Sequence, residues 1–139
     1  ASPVPVLASG DLMSAAEAGQ CLRITAAAGV MYARGALADP RIFLHDTNRR
    51  RTALGLAPLP VPALCDVIRR HAALCRTHAD DNRALLRMRT SVPRYLRDLP
   101  GCRALRDRLC HCTSWNSLQE IIDEAEQLTA LALLSGDTL

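Results

Sequence analysis

Two short apolar runs, Val4 to Ala8 and Val30 to Ala33, flank a longer stretch whose apolar positions recur at helical spacing. Ser9, Gly10 and Asp11 close the first run, and Arg34 and Gly35 follow the second, so each reads as a buried strand ending in a glycine turn. Between them, Ser14 with Glu17 three residues later makes a capping box that opens a helix from Ala15 to Ala28, with Gly29 ending it. This strand, helix, strand order predicts parallel neighbours joined by a right-handed crossover, with both glycine turns at the same end.

Beyond the second turn, Asp39-Pro40 starts a helix over Arg41 to about Arg51. The pattern then breaks at Gly55 to Pro62, "GLAPLPVP", where prolines at 58, 60 and 62 exclude a helix and mark a linker. From Pro62 a new helix presents Leu64, Val67, Ile68, His71, Leu74 and Cys75 at helical spacing. Asp80-Asp81 begins another, which Pro93 should kink or divide. A turn at Leu99-Pro100-Gly101, a helix from Cys102 to Cys110 and a last helix from Ser117 to Leu134, opened by a Ser117/Glu120 capping box, complete the chain. The expected class is an α/β piece followed by an all-α helical bundle, mostly α overall.

Composition fits that division. Apolar residues are 49% of the 139 but aromatics only 3%, so the core is aliphatic, as in helix packing. No run reaches membrane-spanning length and no leader pattern opens the chain, which reads as cytoplasmic. The six cysteines lie within or beside helical patterns in a chain with an ample aliphatic core, and are expected as reduced thiols. All 17 basic residues are arginine; Cys65 to Leu109 holds 11 of them against 5 acids, whereas Cys110 to Leu139 holds none against 5 acids. A basic middle and an acidic tail lie behind the net charge of +3.

Glycine at a strand end lets main-chain N–H groups approach an anion, and Arg34 would add a charge-assisted contact. Ordinary tight strand-to-helix connections look the same. Arg83, Arg87, Arg94 and Arg97 recur at helical or near-helical steps, with Arg103 and Arg106 after the turn; this is a stripe for nucleic-acid phosphates or a solvated face. His71, Cys75 and His78 share a helical face, but without a paired ligand motif Cys75 reads as packing and no metal is assigned. Cys110-His111-Cys112 alternates, so its sulfurs diverge on a helix. Trp115 is expected as a packing anchor at the start of the last helix, an exposed ring for base stacking being the other reading.

"PVLASGDLMSAAEA" followed by "GVMYARGALADPRIF" resembles the end of the flavin barrel in the tRNA-dihydrouridine synthases, of the FMN-dependent B type. "RMRTSVPRYLRDLPGCRALRDRL" followed by "SLQEIIDEAE" resembles that family's helical domain, and the match runs in order from about Pro3 to Ala125. The resemblance implies residues 1–54 as the last two strand–helix units of a (β/α)₈ barrel, 55–62 as linker and 63–139 as a helical tRNA-binding domain. It carries FMN binding onto Ser9, Gly10, Asp11, Ala33 and Arg34, with Ser9 where asparagine is usual and Ala33 where glycine is usual. RNA binding falls on Arg83, Arg87, Arg89, Arg94 and Arg97; Arg89 takes the family's arginine position, and Thr90 and Ser91 replace lysine and histidine.

The implied activity is reduction of tRNA uridines to 5,6-dihydrouridine, with FMN reduced by NADPH. None of the six cysteines takes the place of the family's proton-donating cysteine, so the chain is expected to be an inactive carboxyl-terminal fragment. Its partner is tRNA, and its unpaired strand edges favour self-association. Two alternatives stand beside this: a free-standing helical RNA-binding or adaptor module with barrel remnants, and the end of another FMN barrel oxidoreductase.

Overall fold

A parallel two-stranded sheet and seven helices follow one another in a computed structural model that describes residues 3–135. The chain divides into two compact units at Pro62 and Ala63.

In the first unit, β1 (Leu7–Ser9) pairs in parallel with β2 (Gly29–Met31), Leu7 facing Gly29 and Ser9 facing Met31. The strands are shorter than the apolar runs and are not buried: Val4, Val6, Leu7 and Met31 are all at least half exposed. Two strands alone cannot cover both faces of a sheet, and apolar character alone therefore misstates their burial. The crossover helix α1 (Ala15–Thr25) begins as expected. Ser14 Oγ accepts from the Glu17 amide at 3.2 Å, and Glu17 Oε2 accepts from the Ser14 amide at 2.9 Å.

That helix ends three residues early. Ala26 takes the left-handed conformation (φ 51°) and its N–H bonds the Leu22 carbonyl, so Gly29 is released to open β2. Thr25 Oγ1 donates to Cys21 O at 2.8 Å and accepts from the Ala27 amide at 3.2 Å, and Ala28 N–H reaches Val6 O at 2.9 Å, fixing the corner. Arg34-Gly35 is likewise no simple turn but the start of a short helix, α2 (Arg34–Ala38). The next helix, α3 (Ile42–Ala53), starts one residue later than expected: Asp39 accepts from the Arg41 amide at 2.8 Å and grips its guanidinium, holding Arg41 just outside the helix.

Helix α3 packs on α1, where the Arg49 side chain lies across Gly19. Leu12, Ala18 and Ile42 are the buried apolar residues of this unit among those described. The proline-rich stretch is tied back to α3. Asn48 exchanges two hydrogen bonds with the Leu59 backbone (2.7 and 2.9 Å), and Arg51 Nε donates to Ala57 O at 2.8 Å.

The second unit is built from α4 (Leu64–His78), α5 (Asp81–Tyr95), α6 (Arg103–His111) and α7 (Trp115–Ser135). Successive helices pack together and α7 also packs on α4, enclosing one aliphatic core that includes Ile68, Met88, Leu96, Leu109 and Ile122. Leu74, expected inside, is half exposed; Cys65 takes an inward position instead. Asp80 caps α5 by accepting from the Arg83 amide at 2.9 Å. Pro93 does not divide this helix. Val92 and Leu96 on either side of it are fully buried, and the helix runs to Tyr95 as one element. Gly101, at φ 74°, turns the chain into α6. The last helix starts earlier than its sequence motif suggests: Ser114 Oγ accepts from the Ser117 amide at 3.1 Å, so Ser114 is the cap and Ser117 lies in the first turn.

All six cysteines are free thiols, with Cys65, Cys75, Cys102 and Cys112 buried and Cys110 exposed. Burial pushes the Cys65 thiol up to about 11, and raises Cys102 and Cys112 as well. A disulfide reagent at pH 8 is therefore expected to label Cys110 first in the native protein and Cys65 only as it unfolds. Peptide mapping of labelling against time checks this, and early labelling of Cys65 would contradict it.

Candidate functional site

The two glycine turns meet at the ends of their strands. Ser9 is the last residue of β1; Gly10 (φ 132°) and Asp11 (φ 46°) then swing the backbone through conformations that glycine adopts freely and aspartate tolerates. Ala33 precedes α2 and Arg34 is its first residue. The Arg34 guanidinium forms an ion pair with the Asp11 carboxylate, both side chains being more than two thirds exposed.

Beneath this pair the backbones touch. A Cβ on Gly35 would lie 2.3 Å from Leu12 O, 3.1 Å from Met13 Cα and 2.9 Å from Ile42 Cδ1. The structure thus brings Ser9, Gly10 and Asp11 together with Ala33 and Arg34. On α3, Asp46 is buried and held by Arg49 and Arg50, each at 2.8 Å. Burial, reinforced by the Asp46 charge, raises the Tyr32 hydroxyl above its ordinary range, and its ring packs edge-on against Phe43.

The second candidate surface lies on α5. At about 100° per residue, Arg83, Arg87 and Arg94 fall within about 40° of one another, and all three are exposed. Arg83 has only a loose 3.8 Å pairing with Asp80; the guanidinium groups of Arg87, Arg94 and Arg97 make no hydrogen bond or ion pair among the described residues. Arg103, at the start of α6, is exposed as well.

Other arginines are already engaged. Arg69 binds Asp123 at 2.7 Å, Glu126 at 2.5 Å and Asp66 at 3.3 Å, so its guanidinium holds both α7 carboxylates below their usual range. Arg108 pairs with Glu124 at 2.6 Å. Arg76 lies over the Trp115 ring, 4.9 Å from its centre, and also pairs with Asp81 at 3.2 Å. Trp115 is therefore a half-buried anchor whose face is covered.

Arg89 and Arg106 donate to backbone carbonyls instead. Arg89 Nε bonds Cys110 O at 2.9 Å and its Nη2 bonds the same oxygen; Arg106 Nη1 bonds Arg97 O at 2.8 Å and Leu96 O at 3.3 Å. Neither acceptor carries a sequence signal. His71 Nδ1 meets Tyr95 Oη at 3.1 Å, and burial lowers the imidazole below its ordinary range.

A family model described as dihydrouridine synthase matches residues 1–131. The chain is 28% identical over 127 residues to a probable tRNA-dihydrouridine synthase of Mycobacterium tuberculosis (strain CDC 1551 / Oshkosh), covering 88% of this chain and 32% of the relative. It is 29% identical over 130 residues to probable tRNA-dihydrouridine synthase 1 of a Synechocystis species, covering 94% and 36%. With the probable tRNA-dihydrouridine synthase of Treponema pallidum (strain Nichols) it shares 30% over 122 residues, covering 88% and 36%. The chain thus spans about a third of the length of these curated relatives.

Proposed function

Because the chain belongs to the dihydrouridine synthase family, we propose that it is the carboxyl-terminal part of a cytoplasmic tRNA-dihydrouridine synthase, which reduces specific tRNA uridines to 5,6-dihydrouridine with FMN and NADPH. Residues 1–54 close a (β/α)₈ barrel, 55–62 link it onward, and 63–139 bind tRNA. The family match over residues 1–131 carries this reading. No helix among the described residues is long and apolar enough to cross a membrane.

The paired turns suit a flavin phosphate. A Cβ at Gly10 would meet nothing within 4 Å, and Arg34, largely exposed, has guanidinium donors beyond the one that engages Asp11. Ser9, Gly10, Asp11, Ala33 and Arg34 would hold the phosphate, and the bound flavin would supply hydride chemistry. Arg83, Arg87, Arg94 and Arg97 would attract the tRNA backbone. No cysteine here takes the proton donor's role, so the isolated chain is inactive, and the exposed Val6, Leu7 and Met31 favour its self-association.

A tRNA mobility-shift titration at several salt concentrations, with dihydrouridine assayed in the same tRNA, tests this. The expected result is binding that weakens steeply with salt and no dihydrouridine. Product formed by the chain alone would refute its inactivity; absence of a shift would refute its RNA role. Flavin uptake by the larger enzyme should fall on Arg34→Ala, and a salt-sensitive shift in an enzyme that takes up no flavin would favour the adaptor reading.

A further inference from the structure

The reciprocal use of Arg89 and Arg106 separates two kinds of arginine in the basic segment. Arg89, on α5, donates to the carbonyl of Cys110 in the last turn of α6; Arg106, on α6, donates to the carbonyls of Leu96 and Arg97 just past the end of α5. Each helix thus lends a guanidinium to the carboxyl end of the other. Carbonyls at a helix end have no partner inside the helix and carry the negative end of its dipole, so a guanidinium there is favoured twice over. Both side chains are less exposed than the other arginines of α5.

Helical geometry points the same way. Arg89 lies about 120–160° around α5 from Arg83, Arg87 and Arg94. A side chain bound to Cys110 on one side cannot at the same time present its charge with the three on the other.

We infer that Arg89 and Arg106 are positioning residues, a pair of straps that lock α5 to α6, and that tRNA phosphates are met by Arg83, Arg87, Arg94 and Arg97 without Arg89. This rests on the proposed RNA-binding role for its second half only. Arg89 stands at the family's arginine position, so the inference assigns that position to the frame of the helical unit and not to the RNA contact.

The test combines melting of the whole chain with the salt dependence of tRNA binding. Arg89→Lys and Arg106→Lys keep the charge but lose the planar fork. Each should lower the melting temperature of the helical unit by several degrees, since about 4–8 °C corresponds to the net stability of one ordinary hydrogen bond in a unit of this size. Arg89→Ala should lower it further, and below its transition should bind tRNA with a plot of log K against log salt parallel to that of the unaltered chain. The triple variant Arg83→Ala, Arg87→Ala, Arg94→Ala should melt normally and give a slope flatter by about two to three.

Unchanged melting of both lysine variants would overturn the straps whether or not tRNA binds. A slope flattened by about one in Arg89→Ala would make Arg89 a phosphate contact and overturn the division of roles. If the unaltered chain fails to bind tRNA while the lysine variants still melt early, the proposed function falls and the straps stand.

Discussion

Gly35→Ala is expected to unfold or rearrange the amino-terminal unit, the added methyl carbon arriving 2.3 Å from the Leu12 carbonyl oxygen and 3.1 Å from Met13 Cα. Both obstacles are backbone, so no side-chain rotation relieves the clash. Overpacking of this kind costs about 1–3 kcal/mol, and more where the backbone itself must yield. The unit has little to offset it, since Leu12, Ala18 and Ile42 are its buried apolar residues among those described, and Ile42 is itself one of the atoms struck.

Gly19→Ala makes the sharpest comparison. There the new carbon would meet the Arg49 guanidinium at 3.0–3.1 Å and its Cδ at 3.2 Å, the outer part of a flexible side chain, and alanine improves helix propensity by up to about 1 kcal/mol. Two buried glycines in one unit should therefore give opposite results: Gly19→Ala near neutral, Gly35→Ala severe. Amide hydrogen exchange of α1 and α3, with the helical unit as internal reference, distinguishes them. Unaltered protection of α3 in Gly35→Ala would refute the argument.

Ile122→Ala is expected to destabilise the helical unit strongly. Ile122 is 1% exposed, sits where α7 packs on α4, and its carbonyl accepts from the Cys65 thiol at 3.8 Å. Removing three buried carbons from such a site costs about 2–5 kcal/mol, because both the transfer energy and the cavity count against it. For a unit of this size that is a fall of roughly 10–30 °C in melting temperature. Leu131→Ala, at a position 61% exposed on the same helix, should stay within about 0.5 kcal/mol. Circular dichroism melting of both variants decides the matter, and similar losses in the two would mean that α7 is not held through its Ile122 face.

Local interactions were the most legible part of the chain. The Ser14/Glu17 box lies within four residues, and its two hydrogen bonds form as its spacing implies. The same motif misleads at Ser117, because Ser114 offers an equally good hydroxyl three residues earlier and accepts the Ser117 amide itself. Pro93 marks the end of α5 only approximately: its missing N–H lies close to a terminus that burial of Val92 and Leu96 already holds in helical form. At the candidate phosphate site, parallel strands imply that the two turns share an end. The pairing of Asp11 with Arg34 depends on side-chain placement across twenty-three residues, and the demand for Gly35 on contact with a distant backbone. Arg89 and Arg106 were least legible of all, since an arginine bound to a carbonyl and an arginine facing solvent look alike in a sequence.

The way the helices follow one another also bears on the order of assembly. In the second unit α4 meets α5, α5 meets α6 and α6 meets α7, and only the return of α7 to α4 joins segments far apart in the chain. Each successive pair can form as its own turn closes, and β1 pairs with β2 across the twenty-two residues from Leu7 to Gly29, whereas the return of α7 to α4 spans fifty-seven, from Cys65 to Ile122. Closure of the helical unit thus waits on its last helix, and until α7 docks the apolar face of α4 around Cys65 and Ile68 stays open.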